Sequence, residues 1–141
     1  MADESLSEAF WAVARQLRRQ SMATVAPWDI TPGQARALAM LSHKELDHQE
    51  SVRLSDLAEK LRIAARSTTE VVDGLQERAL VERRPDPTDR RATLIVLTEE
   101  GDQVAAAIRQ ARHAEAEAFF GRLSADDRAH LARILAQLRD T

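Results

Sequence analysis

The sequence predicts a mainly α-helical fold with a small β-wing, arranged as helix, turn, helix and basic hairpin, the outline of a winged helix-turn-helix. Three observations predict it. Leu57, Ala58 and Leu61, then Val71, Val72 and Leu75, recur at helical spacing in two short neighbouring segments. After Leu80 the apolar period shortens to that of a strand, in two runs on either side of Pro85-Asp86-Pro87-Thr88-Asp89. Long helix-patterned segments flank this centre at both ends.

Taken in order, Leu6, Phe10, Val13 and Leu17 place an apolar stripe on one face of a first helix, and Pro27 ends that region. Thr31-Pro32-Gly33-Gln34 starts the next helix, with an oxygen-bearing cap, proline at the first helical position and glutamine three residues on. That helix should run to about Ser42, followed by a polar loop over 43–49 and a short strand at Ser51-Val52-Arg53. Ser55-Asp56 is expected to cap and open a third helix. A fourth is expected over 65–78, with a short, polar and basic first turn. In the hairpin, Val81, Arg83, Leu94 and Val96 are expected to share one face, against Glu82, Arg84, Thr93 and Ile95. Thr98 caps a long alanine-rich helix reaching about Phe120, and Ser124-x-x-Asp127 opens a last one bearing Leu131, Ile134, Leu135 and Leu138.

A length of 141 residues with 44% hydrophobic content suits one domain, 1–141. The absence of cysteine excludes disulfides, thiolate metal sites and a thiol switch. The acidic, polar start and the lack of a long apolar run lead to the expectation of a soluble, cytoplasmic protein without a membrane partner. Net charge is −3, but its distribution is uneven. Residues 53–91 hold nine basic and eight acidic side chains, the remainder eleven and fifteen. Arg83, Arg84, Arg90 and Arg91 cluster in the hairpin.

Leu54-Ser55-Asp56-Leu57-Ala58, Val71-Val72-Asp73-x-Leu75, Leu80-Val81-Glu82-Arg83, Asp89-Arg90-Arg91 and Leu97-Thr98-Glu99-Glu100-Gly101 together resemble the MarR family of bacterial regulators. The resemblance extends over nearly the whole chain. It implies a homodimer built by dimerisation helices at about 5–24 and 99–140, and a winged core at about 31–98. It also implies double-stranded DNA with a pseudo-palindromic operator as partner. A repressor released by a small, aromatic or phenolic effector is the expected function.

The candidate DNA-binding residues are Ser55, Arg66, Ser67, Thr68, Thr69, Arg84, Asp89, Arg90 and Arg91. Arginine can contact guanine through two hydrogen bonds, and serine and threonine can serve phosphates or base edges. An ordinary exposed helix turn has the same composition as 66–69, so its place before a basic hairpin carries the assignment. The resemblance implies that Asp89 orients the wing tip and that Arg91, or Arg90 in its stead, reaches the minor groove or its phosphates. A solvated charge cluster is the alternative. Three positions depart from the family pattern: Ala64 in place of a capping serine, Ala79 in place of a glycine before Leu-Val, and Glu70 where a basic residue is frequent.

Trp11, Arg15, Trp28, Met40 and His43 are the candidate ligand-binding residues, on segments that line a crevice in relatives. An indole and an arginine together suit a phenolic carboxylate. Both tryptophans equally suit a core or a dimer interface. His43, His48, His113 and His130 lack the spacing of a zinc site, so no metal is expected. No cofactor is expected either, and no nucleophile elbow or phosphate-binding glycine loop argues for an enzyme. The competing class is a helical protein-interaction module that uses the winged fold without DNA.

Overall fold

The computed structural model describes residues 5–42 and 51–139. The expected loop at 43–49, with His43 and His48, lies outside the described residues. The chain divides into two compact units, Val25–Gln110, and Met1–Thr24 with Ala111–Thr141.

The central unit begins with a 3-10 turn, Ala26–Trp28, which the residue pattern did not announce. It continues through α2 (Pro32–Ser42), β1 (Ser51–Arg53), α3 (Leu54–Leu61), α4 (Ala65–Glu77), β2 (Val81–Pro85), β3 (Thr93–Leu97) and the first half of α5 (Glu99–Phe120). The three strands form one antiparallel sheet in the order β1-β3-β2. The core gathers Val25, Leu38, Leu57, Leu61, Val72, Leu75, Leu80, Val81, Ile95 and Ile108, all nearly sealed from solvent. At the start of α2 the expected reciprocal cap forms: the Thr31 N–H donates to Gln34 Oε1 at 3.0 Å and the Gln34 N–H to Thr31 Oγ1 at 3.1 Å. The Gln34 amide then lies where a side chain at residue 74 of α4 would stand, so Gly74 is what lets α2 and α4 approach.

Two sequence expectations are corrected here. Ser55 does not cap α3; the helix begins two residues earlier than that cap requires, at Leu54, and Arg53 holds the cap position without a side-chain bond. The face of β3 is also shifted by one residue. Val81 and Arg83 pair with Leu97 and Ile95, so Ile95 takes the buried position expected of Leu94 and Val96. A single-residue shift turns every side chain of a strand over, and in β3 both alternating sets, Leu94 with Val96 and Ile95 with Leu97, are apolar, so the pattern alone does not choose between them.

The link from α4 to the wing explains the Leu-Thr-x-x-Gly string. Ala79 adopts a left-handed conformation, φ 58°, and the Leu80 N–H returns to the Leu75 carbonyl at 3.0 Å. Thr98 clamps this turn: its hydroxyl donates to the Ala79 carbonyl at 2.6 Å and its N–H to the Leu80 carbonyl at 3.1 Å. The Gly101 N–H donates to Thr98 Oγ1 at 3.0 Å. A β-carbon at residue 101 would stand 1.9 Å from the Leu80 carbonyl oxygen, so only glycine fits.

The terminal unit comprises α1 (Leu6–Thr24), the second half of α5 and α6 (Ala125–Arg139). Ser5 and Glu8 close a reciprocal cap on α1, and Ser124 Oγ accepts the Asp127 N–H at 3.1 Å at the start of α6. Neither α1 nor α6 has a buried residue. Among the described residues no helix is long and apolar enough to cross a membrane.

Candidate nucleic-acid interface

α3 and α4 meet at a tight turn. Arg62 takes the left-handed position there, φ 56°, and the Ile63 N–H donates to the Ala58 carbonyl. Arg36 on α2 donates to the Leu61 carbonyl at 2.8 Å and so covers the end of α3. α4 then buries Thr68, Val72 and Leu75, the i, i+4, i+7 positions of one face. Its opposite face starts with Arg66 and Ser67, both exposed and making no side-chain hydrogen bond among the described residues.

Thr68 therefore leaves the set of candidate contacts. It is sealed in the core, and its hydroxyl is used on the Ala64 carbonyl at 3.1 Å. Thr69 is half-buried and its hydroxyl bonds the Ala65 carbonyl at 3.1 Å. Ser55 is exposed in the first turn of α3. Glu70 is exposed beside this surface. As expected from Ala64, no side chain caps α4.

The wing is fixed to α4 at its base. The Arg83 guanidinium donates to Asp73 Oδ1 and to Gln76 Oε1, both on the helix. Next to it Arg84 pairs with Glu82 at 3.0 Å, both side chains more than half exposed, a pair worth ~0–1 kcal/mol that a phosphate can displace. Asp89 accepts the Arg91 N–H on Oδ1 at 2.9 Å and, among the described residues, does not pair with a guanidinium. The guanidinium groups of Arg90 and Arg91 are exposed and carry no hydrogen bond among the described residues.

The residue that organises the tip escaped the sequence reading: it is Asp86. Its Oδ1 accepts both the N–H and the hydroxyl of Thr88, each at 2.8 Å, and its Oδ2 accepts Arg53 Nε at 2.9 Å. Those donors, the Thr88 N–H first, hold its carboxyl below the usual aspartate range. An aspartate followed two residues on by threonine is the available sequence signal, an Asx-type turn.

Of the candidate ligand residues, Trp11 and Arg15 belong to the terminal unit and Trp28 and Met40 to the central one. Trp11 is exposed and meets Phe10 edge to face at 5.5 Å. Arg15 lines a hollow of 380 Å³ on α1 with Arg18, Arg19 and Met22. Trp28 and Met40 pack against the central core. His43 is outside the described residues.

The model of the MarR family matches residues 30–93, from two residues before α2 to the first residue of β3. That winged core belongs to the MarR family. A solved structure of MarR from E. coli superposes on this chain with a TM-score of 0.82. It is 24% identical and covers 95% of this chain and 96% of that one. A MepR mutant from S. aureus, described as bound to an oligodeoxyribonucleotide, gives a TM-score of 0.70 at 19% identity, with 96% of each chain covered. Among curated relatives, the HTH-type transcriptional repressor MdtR of Bacillus subtilis is 24% identical over 97% of this chain and 87% of its own. Three further HTH-type regulators of Bacillus subtilis, 28 to 32% identical, are matched over 58 to 62% of their length. The chain thus spans about three fifths of those relatives.

Proposed function

We propose that this protein is a sequence-specific regulator of transcription that binds double-stranded DNA as a homodimer and acts as a repressor. One observation carries the reading. Arg66 and Ser67 on the first turn of α4, and Arg90 and Arg91 on the wing tip, are exposed and uncommitted on one clamped unit. A helix tip of this chemistry suits base edges in the major groove, and a charged hairpin tip suits the neighbouring backbone or minor groove. Ser55, Thr69, Arg84 and Asp89 support the same surface, as backbone contacts or as orienting groups. The oligonucleotide carried by a structural relative, and a relative named as a repressor, favour the same class of function.

The dimer is supported by the terminal helices. Leu6, Phe10, Trp11 and Val13 of α1 and Ile134 of α6 are 44 to 88% exposed, a larger apolar display than a lone chain usually leaves in water. A second copy is the occupant proposed for it. Release by an aromatic or phenolic effector is part of the proposal, and such a molecule works only through a difference in affinity between two lobe spacings. Trp11 and Trp28 are the two tryptophans, so binding should register in intrinsic fluorescence.

Selection of duplexes from a random pool at low ionic strength, followed by footprinting, tests the reading. The expected site has two related halves about 10 base pairs apart, centre to centre. Indifference to every duplex overturns it and leaves the protein-interaction module in its place.

A further inference from the structure

We propose that Arg53 is a positioning residue for the wing: through Asp86 it sets the direction in which Arg90 and Arg91 leave the sheet. The inference rests on the DNA-binding reading above and concerns residues outside the contact surface.

The bonds within the tip close on one another. The Asp86 N–H donates to the Ala92 carbonyl at 3.2 Å, the Ala92 N–H to the Asp89 carbonyl at 3.1 Å, and the Arg91 N–H to Asp89 Oδ1. Thr88 is folded back onto Asp86 by two further bonds. These bonds give the tip a shape but not an orientation. Below it lies an open cleft of 510 Å³, bounded by Ser51, Arg53, Asp56, Asp86, Pro87 and Thr88 among others. Among the described residues one ion pair crosses that cleft, Arg53 Nε to Asp86 Oδ2.

Asp86 is the right kind of anchor. Its side chain is only 6% exposed, and a carboxylate so covered demands a donor for each oxygen. Oδ1 is satisfied within the tip; Oδ2 has Arg53 alone among the described residues. Arg53 in turn is firmly held, paired with Leu94 in the sheet and standing at the cap position of α3. The pair therefore ties the wing tip to the first helix of the helix-turn-helix, as Arg83 ties the wing base to the second.

The test is a mutant cycle between Arg53→Gln and the tip pair Arg90→Ala/Arg91→Ala. Affinity would be measured on a duplex selected by the wild-type protein, and amide exchange would be followed over residues 86–92. Arg53→Gln is expected to weaken binding about tenfold, lower the salt slope as Arg91→Ala does, and speed exchange at Thr88 and Arg91 without lowering the melting temperature of the core. In the Arg90→Ala/Arg91→Ala background, where neither tip arginine is left to be aimed, it should change affinity less than twofold. Thr88→Val should reproduce part of the loss and Thr88→Ser restore it, which guards against a failure of Arg53→Gln to fold.

Additive losses would overturn the proposal, because Arg53 would then touch DNA itself or act on the whole fold. So would wild-type affinity in Arg53→Gln. If the wild-type protein ignores every duplex, the DNA-binding reading fails first and the positioning role with it; a wild-type that binds beside a silent Arg53→Gln removes the positioning role alone.

Discussion

At the scale of single residues, Arg66 and Arg91 are both exposed arginines, yet they stand on different elements and should lose different things when truncated. Arg91→Ala should weaken binding to selected and random duplexes alike and flatten the salt slope, because a wing tip meets mainly backbone. Arg66→Ala should relax sequence preference at one base position by ~1–3 kcal/mol. Equal, sequence-blind losses in binding assays would refute that division. Ala79 presents a separate case. An alanine held at φ 58° is strained, so Ala79→Gly should raise stability by about 0.5–1 kcal/mol, read as a higher thermal midpoint. An unchanged or lower midpoint would mean that the Thr98 clamp relieves the strain elsewhere.

Elements are joined here by a few polar contacts whose removal has calculable direction. Gly101→Ala would drive a β-carbon into the Leu80 carbonyl and separate α5 from the turn after α4; a loss of about 3 kcal/mol in denaturant unfolding is expected. Asp86 makes the wing acid-labile. Its folded pKa lies below the unfolded value of about 3.9, so its contribution is complete above that value and disappears as pH falls through the folded one. Arg53 and Thr88 face the carboxylate, and Asp56 borders the same cleft. Amide protection at Thr88 should thus be flat from pH 8 to about 5 and fall below about 4. Asp86→Asn should abolish that fall, and a fall that persists in this variant would assign the acid response to another group.

For the whole molecule, the prediction concerns assembly. Ile134→Glu places a charge on the apolar display of α6, and Phe10→Glu does so on α1. Either should shift the protein toward monomer in sedimentation and cost about a hundredfold or more in affinity for a two-half site, since the second half-site is then no longer bound within one molecule. A stable dimer that keeps full affinity would mean that these faces meet nothing in the assembly. The central unit, which holds its own core, should keep its helical signal in both variants.

Local chemistry made much of this legible in advance. The cap at Thr31-Gln34, the hairpin around Pro85 and Pro87 and the restart at Thr98 each depend on residues within four positions, so composition and spacing determine them. Partners distant in sequence did not show. Helical spacing with Val72 and Leu75 places Thr68 on the inward face, but nothing local reveals that Ile95 rather than Leu94 faces the core, or that Arg53 reaches Asp86 across 33 positions. An amphipathic pattern names a helix or a strand, while the face that is buried, and the arginine that is tethered rather than left for DNA, follow from what packs against it in three dimensions.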